Sequence, residues 1–172
     1  MDLYAEVYDE VKAVSPNTNV FTNFQLEKMK GLRGGLFGGT NDPDKAQWFL
    51  LDRFKQDIVS FSTYPMLIYK SPSEIPSDYY DEKITAHTSK PIAFTEIGWH
   101  SDDDIPGWES SGTEQAEFIE TFFTLTRNLD MPIAIWSFMF DQDIPDPFKH
   151  TGLIHNDGTA KPAWDAWIKA GS

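Results

Sequence analysis

Pro91-Ile-Ala-Phe-Thr-Glu-Ile-Gly-Trp99 is the stretch on which the fold turns. Residues 92–95 read as a short buried strand that delivers Glu96 at its C-terminal tip, with Gly98 and Trp99 following at once. A carboxylate ending an apolar strand is costly to desolvate unless it is solvated, paired with a lysine, or used by a site. In parallel α/β folds the C-terminal strand ends are where catalytic groups gather.

The flanking sequence repeats the same unit. Leu3, Val7, Val11 and Val14 share one helical face, and Ser15-Pro16-Asn17 ends that helix. Residues 19–25 read as a strand, and a glycine-rich loop (Gly31, Gly34, Gly35, Gly38, Gly39) leads to a helix expected from about Asn41 or Asp44 to Phe54. Residues 57–63 form a second strand ending at Tyr64-Pro65, followed by a weak helix over about 77–88. Residues 113–129 form a long helix, residues 131–138 a fourth strand, and residues 162–170 a closing helix. Short apolar strands alternating with helices, without hairpin signals, predict parallel βαβ units. No linker or low-complexity segment divides residues 1–172, so one domain is expected. Four strands are half of a closed eight-stranded barrel, which typically takes about 250 residues.

Composition narrows the function classes. The chain has 172 residues, 40% hydrophobic and 24% charged, with a net charge of -13. Such an acidic surface argues against nucleic acid and anionic lipid as partners, and no run approaches the roughly 18 apolar residues that span a bilayer. The absence of cysteine excludes disulfides and thiol chemistry. Met1-Asp-Leu-Tyr-Ala-Glu-Val lacks the basic start and apolar run of a signal peptide, and the compartment is left open. The run 31–39 lacks the Gly-Lys-Ser/Thr ending of a phosphate loop, and the four histidines show no metal spacing, so no cofactor is expected. Asp102-Asp-Asp104 and Asp141-Gln-Asp143 with Asp146 offer clustered oxygens of the kind calcium favours, yet match no defined loop and read as solvated rim loops.

These motifs resemble the C-terminal half of a clan A retaining glycoside hydrolase, a (β/α)8 barrel of the galactanase/cellulase-like superfamily, with most similarity to the endo-β-1,4-galactanase branch. The stretch 57–65, with its terminal Tyr-Pro, resembles strand six; 92–99 resembles strand seven; 133–138 resembles strand eight. Gly152-Leu and Asp157-Gly158, with Lys161-Pro-Ala163, resemble the closing loop and helix. The resemblance covers essentially the whole chain and implies a half-barrel equivalent to strands five to eight. It implies Glu96 as the nucleophile and Trp136 as the floor of a sugar site.

The residues admit this chemistry. Retaining glycosidases use two carboxyl groups, one attacking the anomeric carbon and one protonating the leaving oxygen. Tyr64, also at a strand tip, could donate its hydroxyl to Glu96, or simply cap the rim. Trp136 could stack a pyranose or pack the core. Trp99 and His100 follow the nucleophile and could line a sugar subsite; His100 could equally be an ordinary loop histidine. The acid/base of this clan is a Glu after an Asn at the end of strand four, and no Asn-Glu pair occurs in the chain. The nearest substitute is Glu27, which reads as a solvated loop residue. The expectation is a glycosidase-like half-barrel acting toward β-linked oligo- or polysaccharide, inactive alone. The alternative is a self-associating carbohydrate-binding or interaction module. Open strand edges, and a concave face expected to show Phe and Ile, point to a homodimer.

Overall fold

The computed structural model describes residues 2–102 and 104–171. Asp103, the middle residue of one acidic run, and Met1 lie outside the described residues. Four strands form one sheet in the order β1-β2-β3-β4: β1 (Asn23–Gln25), β2 (Val59–Thr63), β3 (Ile92–Ile97) and β4 (Ile133–Trp136). Every neighbouring pair is parallel. The helices are α1 (Asp2–Val14), α2 (Leu26–Met29), α3 (Asp81–Thr85), α4 (Gly112–Thr126) and α5 (Pro162–Ala170). This is the (βα)4 half of a TIM barrel that the alternation predicts.

Alternation along the strands separates two faces. Phe61 and Phe94 turn toward the helices: Phe94 lies edge-on to Tyr80 and to Phe122 of α4, at 5.5 and 5.1 Å between ring centres. Burying each such ring is worth about 1.5–3 kcal/mol, so this aromatic layer supplies much of what holds α4 to the sheet. α4 starts where the Ser111 side chain accepts the Glu114 amide and supplies a cap for the first turn. The opposite face is polar where β1, β2 and β3 meet: Ser60 and Thr95 both donate to the Asn23 side chain at 3.0 Å. The expectation of Phe on the concave face is therefore corrected, since the phenylalanines of β2 and β3 are consumed by packing against the helices. The expected Ile is there: Ile135 of β4 lies on the face opposite Phe94 and is 47% exposed.

Several elements are shorter than the sequence reading, among them the weak helix expected over about 77–88, which is α3 (Asp81–Thr85), and two differ most. β1 is shorter than residues 19–25 because Val20 is tied to Asp57, exchanging Val20 N–H to the carboxylate and Asp57 N–H to the Val20 carbonyl. The helix expected up to Phe54 splits into 3₁₀ segments, Pro43–Lys45 and Trp48–Arg53. Ala46 is extended between them (φ -60°, ψ 144°), and the Gln47 amide bonds to the Met29 carbonyl instead of to a preceding turn.

Candidate active site

Glu96 is exposed at the C-terminal end of β3, and the Tyr64 hydroxyl donates to its Oε2 at 3.0 Å. The same hydroxyl lies 2.7 Å from Ser137 Oγ, which in turn donates to the Ile97 carbonyl. Three consecutive strand ends thus converge on one phenol. A bulge in β3 sets this up: Phe61 pairs with Phe94, but Ser62 pairs with Glu96, so Thr95 is the extra residue. Without it, Glu96 would stand beside Thr63 and face the other way.

The Tyr64 ring is held on several sides. It meets Phe148 edge-on at 5.2 Å, and a β-carbon on Gly98 would lie 2.5 Å from its Cε1. Gly98 therefore has to be glycine for the ring to lie across the strand end. Burial, with the Glu96 carboxylate added, raises the Tyr64 phenol well above the ordinary tyrosine range. It is a hydrogen-bond donor throughout the usual pH range. Ser137 and Phe148 were not singled out by sequence reasoning, and Gly98 was noted only as following the strand-end Glu. Gly98, two residues past that Glu, carried a local signal; Ser137 directly follows β4 with nothing local to mark it, and Phe148 comes from a remote loop.

Glu27 departs most from expectation. It is not a solvated loop residue but is buried in the first turn of α2. Its Oε1 accepts from Thr63 Oγ1 at 3.0 Å, the Tyr64 amide at 3.1 Å and the Tyr79 hydroxyl at 3.0 Å, while Oε2 has no partner among the described residues. Burial pushes its carboxyl up, against the lowering effect of these donors. Glu27 thus anchors the backbone of Tyr64, whose hydroxyl reaches Glu96.

Three other expected site residues do not join this pair. Trp136 is 7% exposed: its Nε1 donates to the Thr151 carbonyl, and its ring packs on Phe118 and Trp167 at 6.1 and 5.7 Å. Trp99 is fully buried, stacked on Phe118 at 5.0 Å with Nε1 bonded to Ser110. A sugar platform needs an open ring face, and both rings are spent on the helix layer. His100 is 1% exposed, its amide bonded to Met66 Sδ. Neither ring nitrogen has a partner among the described residues, and burial lowers its pKa to about 4.

The acidic loops are a solvated rim only in part: Asp104, Asp143 and Asp146 are exposed, but Asp102 and Asp141 are buried. Lys161, itself buried, donates to Asp141 at 2.5 Å and to Ser101 Oγ at 2.9 Å. His150 stands 3.6 Å from Asp102 and 3.5 Å from Asp141. Asp102, Asp146 and His150 each bring one ligand atom within 4.8 Å of the others.

No protein family and no curated protein matches the chain in sequence. Solved structures do match in fold. A β-glucuronidase from Lactobacillus rhamnosus superposes with a TM-score of 0.63 at 16% identity, covering 100% of this chain and 29% of that one. A GH2 β-galacturonidase from Eisenbergiella tayi gives 0.61 at 18% identity, over 98% and 30%. A family 17 β-1,3-glucanosyltransferase from Rhizomucor miehei gives 0.58 at 18% identity, over 94% and 56%. The fold is that of part of a glycoside hydrolase barrel. The chain spans about 30% of the length of the first two and just over half of the third.

Proposed function

We propose that this chain is the nucleophile-bearing half of a retaining β-glycosidase or endo-glycanase barrel. Glu96 attacks the anomeric carbon of a β-linked sugar, and Tyr64 orients the attacking carboxylate. The observation that carries the reading is the 3.0 Å hydrogen bond from Tyr64 to Glu96 at adjacent strand ends. The glycoside hydrolase fold of the matching structures supports it. In the first step a carboxylate–carbon bond forms as the glycosidic C–O bond breaks, and the leaving oxygen needs a proton. No second exposed strand-end carboxyl stands ready to give that proton among the described residues: Glu27 is buried beneath Tyr64. The chain alone is accordingly inactive on natural glycans, while an aryl β-glycoside, whose leaving group needs no proton, can glycosylate Glu96 slowly. The test is mass spectrometry after incubation with an activated 2-deoxy-2-fluoro β-glycoside. A stable adduct on Glu96, absent in Glu96→Gln and slowed in Tyr64→Phe, supports the reading. Robust polysaccharide turnover abolished by Glu96→Gln would show that the missing acid is misjudged, and no adduct with any β-glycoside would remove the nucleophile.

A two-fold dimer closes the barrel in this reading, with β4 of one copy beside β1 of the other. Its support is the free β4 edge, where Ile135 and Met139 are 47% and 52% exposed beside an exposed Ile168 of α5. Light scattering at micromolar concentration tests it, and a mass near 19.6 kDa would exclude the dimer. Dimerisation together with glycan binding that survives Glu96→Gln would favour the binding-module alternative.

A further inference from the structure

Lys30 caps the C-terminal end of α2 and opens into a cavity that the Glu96 site does not use. The cavity, of about 370 Å³, is walled by Leu32, Trp48, Tyr69 and Tyr79, with Lys83 and Asp78 also lining it. That volume suits a small flat ligand, and the half-buried rings of Trp48 and Tyr69 are the ones open to it, the Tyr79 ring being buried beneath Lys30. The Trp48 ring is fixed in place by stacking on His87 at 4.3 Å and 12°.

The amine has no directly paired carboxylate, although the charges of Glu27 and Asp78 nearby partly offset its burial. Lys30 Nζ donates to the Tyr79 carbonyl at 2.7 Å and sits 3.1 Å from the centre of the Tyr79 ring. Among the described residues no carboxylate lies within 4.0 Å of it, whereas Lys83 in the same cavity is paired with Asp78 at 3.0 Å. Burial lowers the Lys30 pKa to about 7, so a large share of this amine is the free base at neutral pH. A partly desolvated lysine in an apolar pocket is the form in which lysine acts as a nucleophile toward carbonyls.

We propose that this cavity binds a flat aromatic aldehyde and that the Lys30 amine condenses with it to form an imine. The nitrogen lone pair adds to the carbonyl carbon, giving a carbinolamine. Both N–H protons are lost over the two steps, the carbonyl oxygen leaves as water, and a C=N bond replaces C=O. No oxidant or reductant is needed.

The experiment treats the intact protein with benzaldehyde at pH 7, traps imines with cyanoborohydride, and maps the benzylated lysines by peptide mass spectrometry. Acetaldehyde serves as the non-aromatic comparison. The expected result is Lys30 labelled at least about tenfold faster than any other lysine, given its larger free-base fraction. The Lys30 rate should level off above about pH 8, while the other lysines keep accelerating. The preference for Lys30 should be greater with benzaldehyde than with acetaldehyde, and Lys83→Arg should leave it unchanged. Labelling of Lys30 no faster than that of surface lysines in the wild-type protein overturns the proposal. A Lys30 preference that is equal for both aldehydes overturns the aromatic selectivity of the cavity.

Discussion

The Tyr64 ring crosses Gly98 so closely that a β-carbon there would lie 2.5 Å from Tyr64 Cε1. This contact sets how far the phenol reaches and therefore where its bond to Glu96 falls. Gly98→Ala is expected to push the ring away and cost about 1–3 kcal/mol, as overpacked positions do. Urea unfolding measures the loss. A variant as stable as the parent, with Tyr64 still on Glu96 in its crystal structure, would refute the constraint.

Glu27 makes a prediction with a defined sign. Its carboxyl is raised in the folded state by burial, so its contribution to stability is full below the ordinary glutamate range and is lost as pH rises through the folded value. Glu27→Gln keeps an oxygen for Thr63, Tyr64 and Tyr79 but removes the ionisation. Relative to the parent, the variant should gain stability as pH rises above the ordinary glutamate range, seen as a ratio of urea midpoints that climbs with pH. A ratio independent of pH would mean that Glu27 titrates normally.

His100 titrates in the opposite sense. Its pKa falls from 6.5 to about 4, so its contribution is present above pH 6.5 and is lost as pH falls toward 4. The loss reaches about 3 kcal/mol at most, because a tenfold change in proton affinity between folded and unfolded chains is worth about 1.4 kcal/mol. His100→Gln should be less sensitive to acid across this window. Acid unfolding followed by tryptophan fluorescence checks it, and identical acid limbs would count against the buried neutral imidazole.

Lys161 should be the least replaceable of the loop cations. It is buried and bonded to Asp141, Ser101 and the His150 carbonyl. Lys161→Met leaves the Asp141 carboxylate without its main counter-charge and should cost about 3–5 kcal/mol. Adding Asp141→Asn should recover part of that cost in a double-mutant cycle. Additive losses would show the two residues to be uncoupled.

The parallel half-barrel and the strand-end position of Glu96 were legible in the chain, because short apolar runs alternating with helical periodicity leave few ways to build a sheet. Tyr64 was legible as a strand-end partner for the same reason. What periodicity could not supply is which way each side chain points once the alternation is interrupted. The extra residue Thr95 turns Glu96 toward Ser62 rather than Thr63, and no local pattern marks it. Trp99 and Trp136, flanking strand ends in the sequence, were consumed by Phe118 and Trp167, which lie in helices remote along the chain. Glu27 looked like a loop residue until Thr63, Tyr64 and Tyr79 closed over it. The sequence by itself determined the four strands, the long helices and their order, since these follow from local periodicity, but not the 3₁₀ segments that replace the helix expected up to Phe54. Only the tertiary structure decided which polar groups are buried and which aromatic faces remain open, since that depends on neighbours brought together from distant parts of the chain.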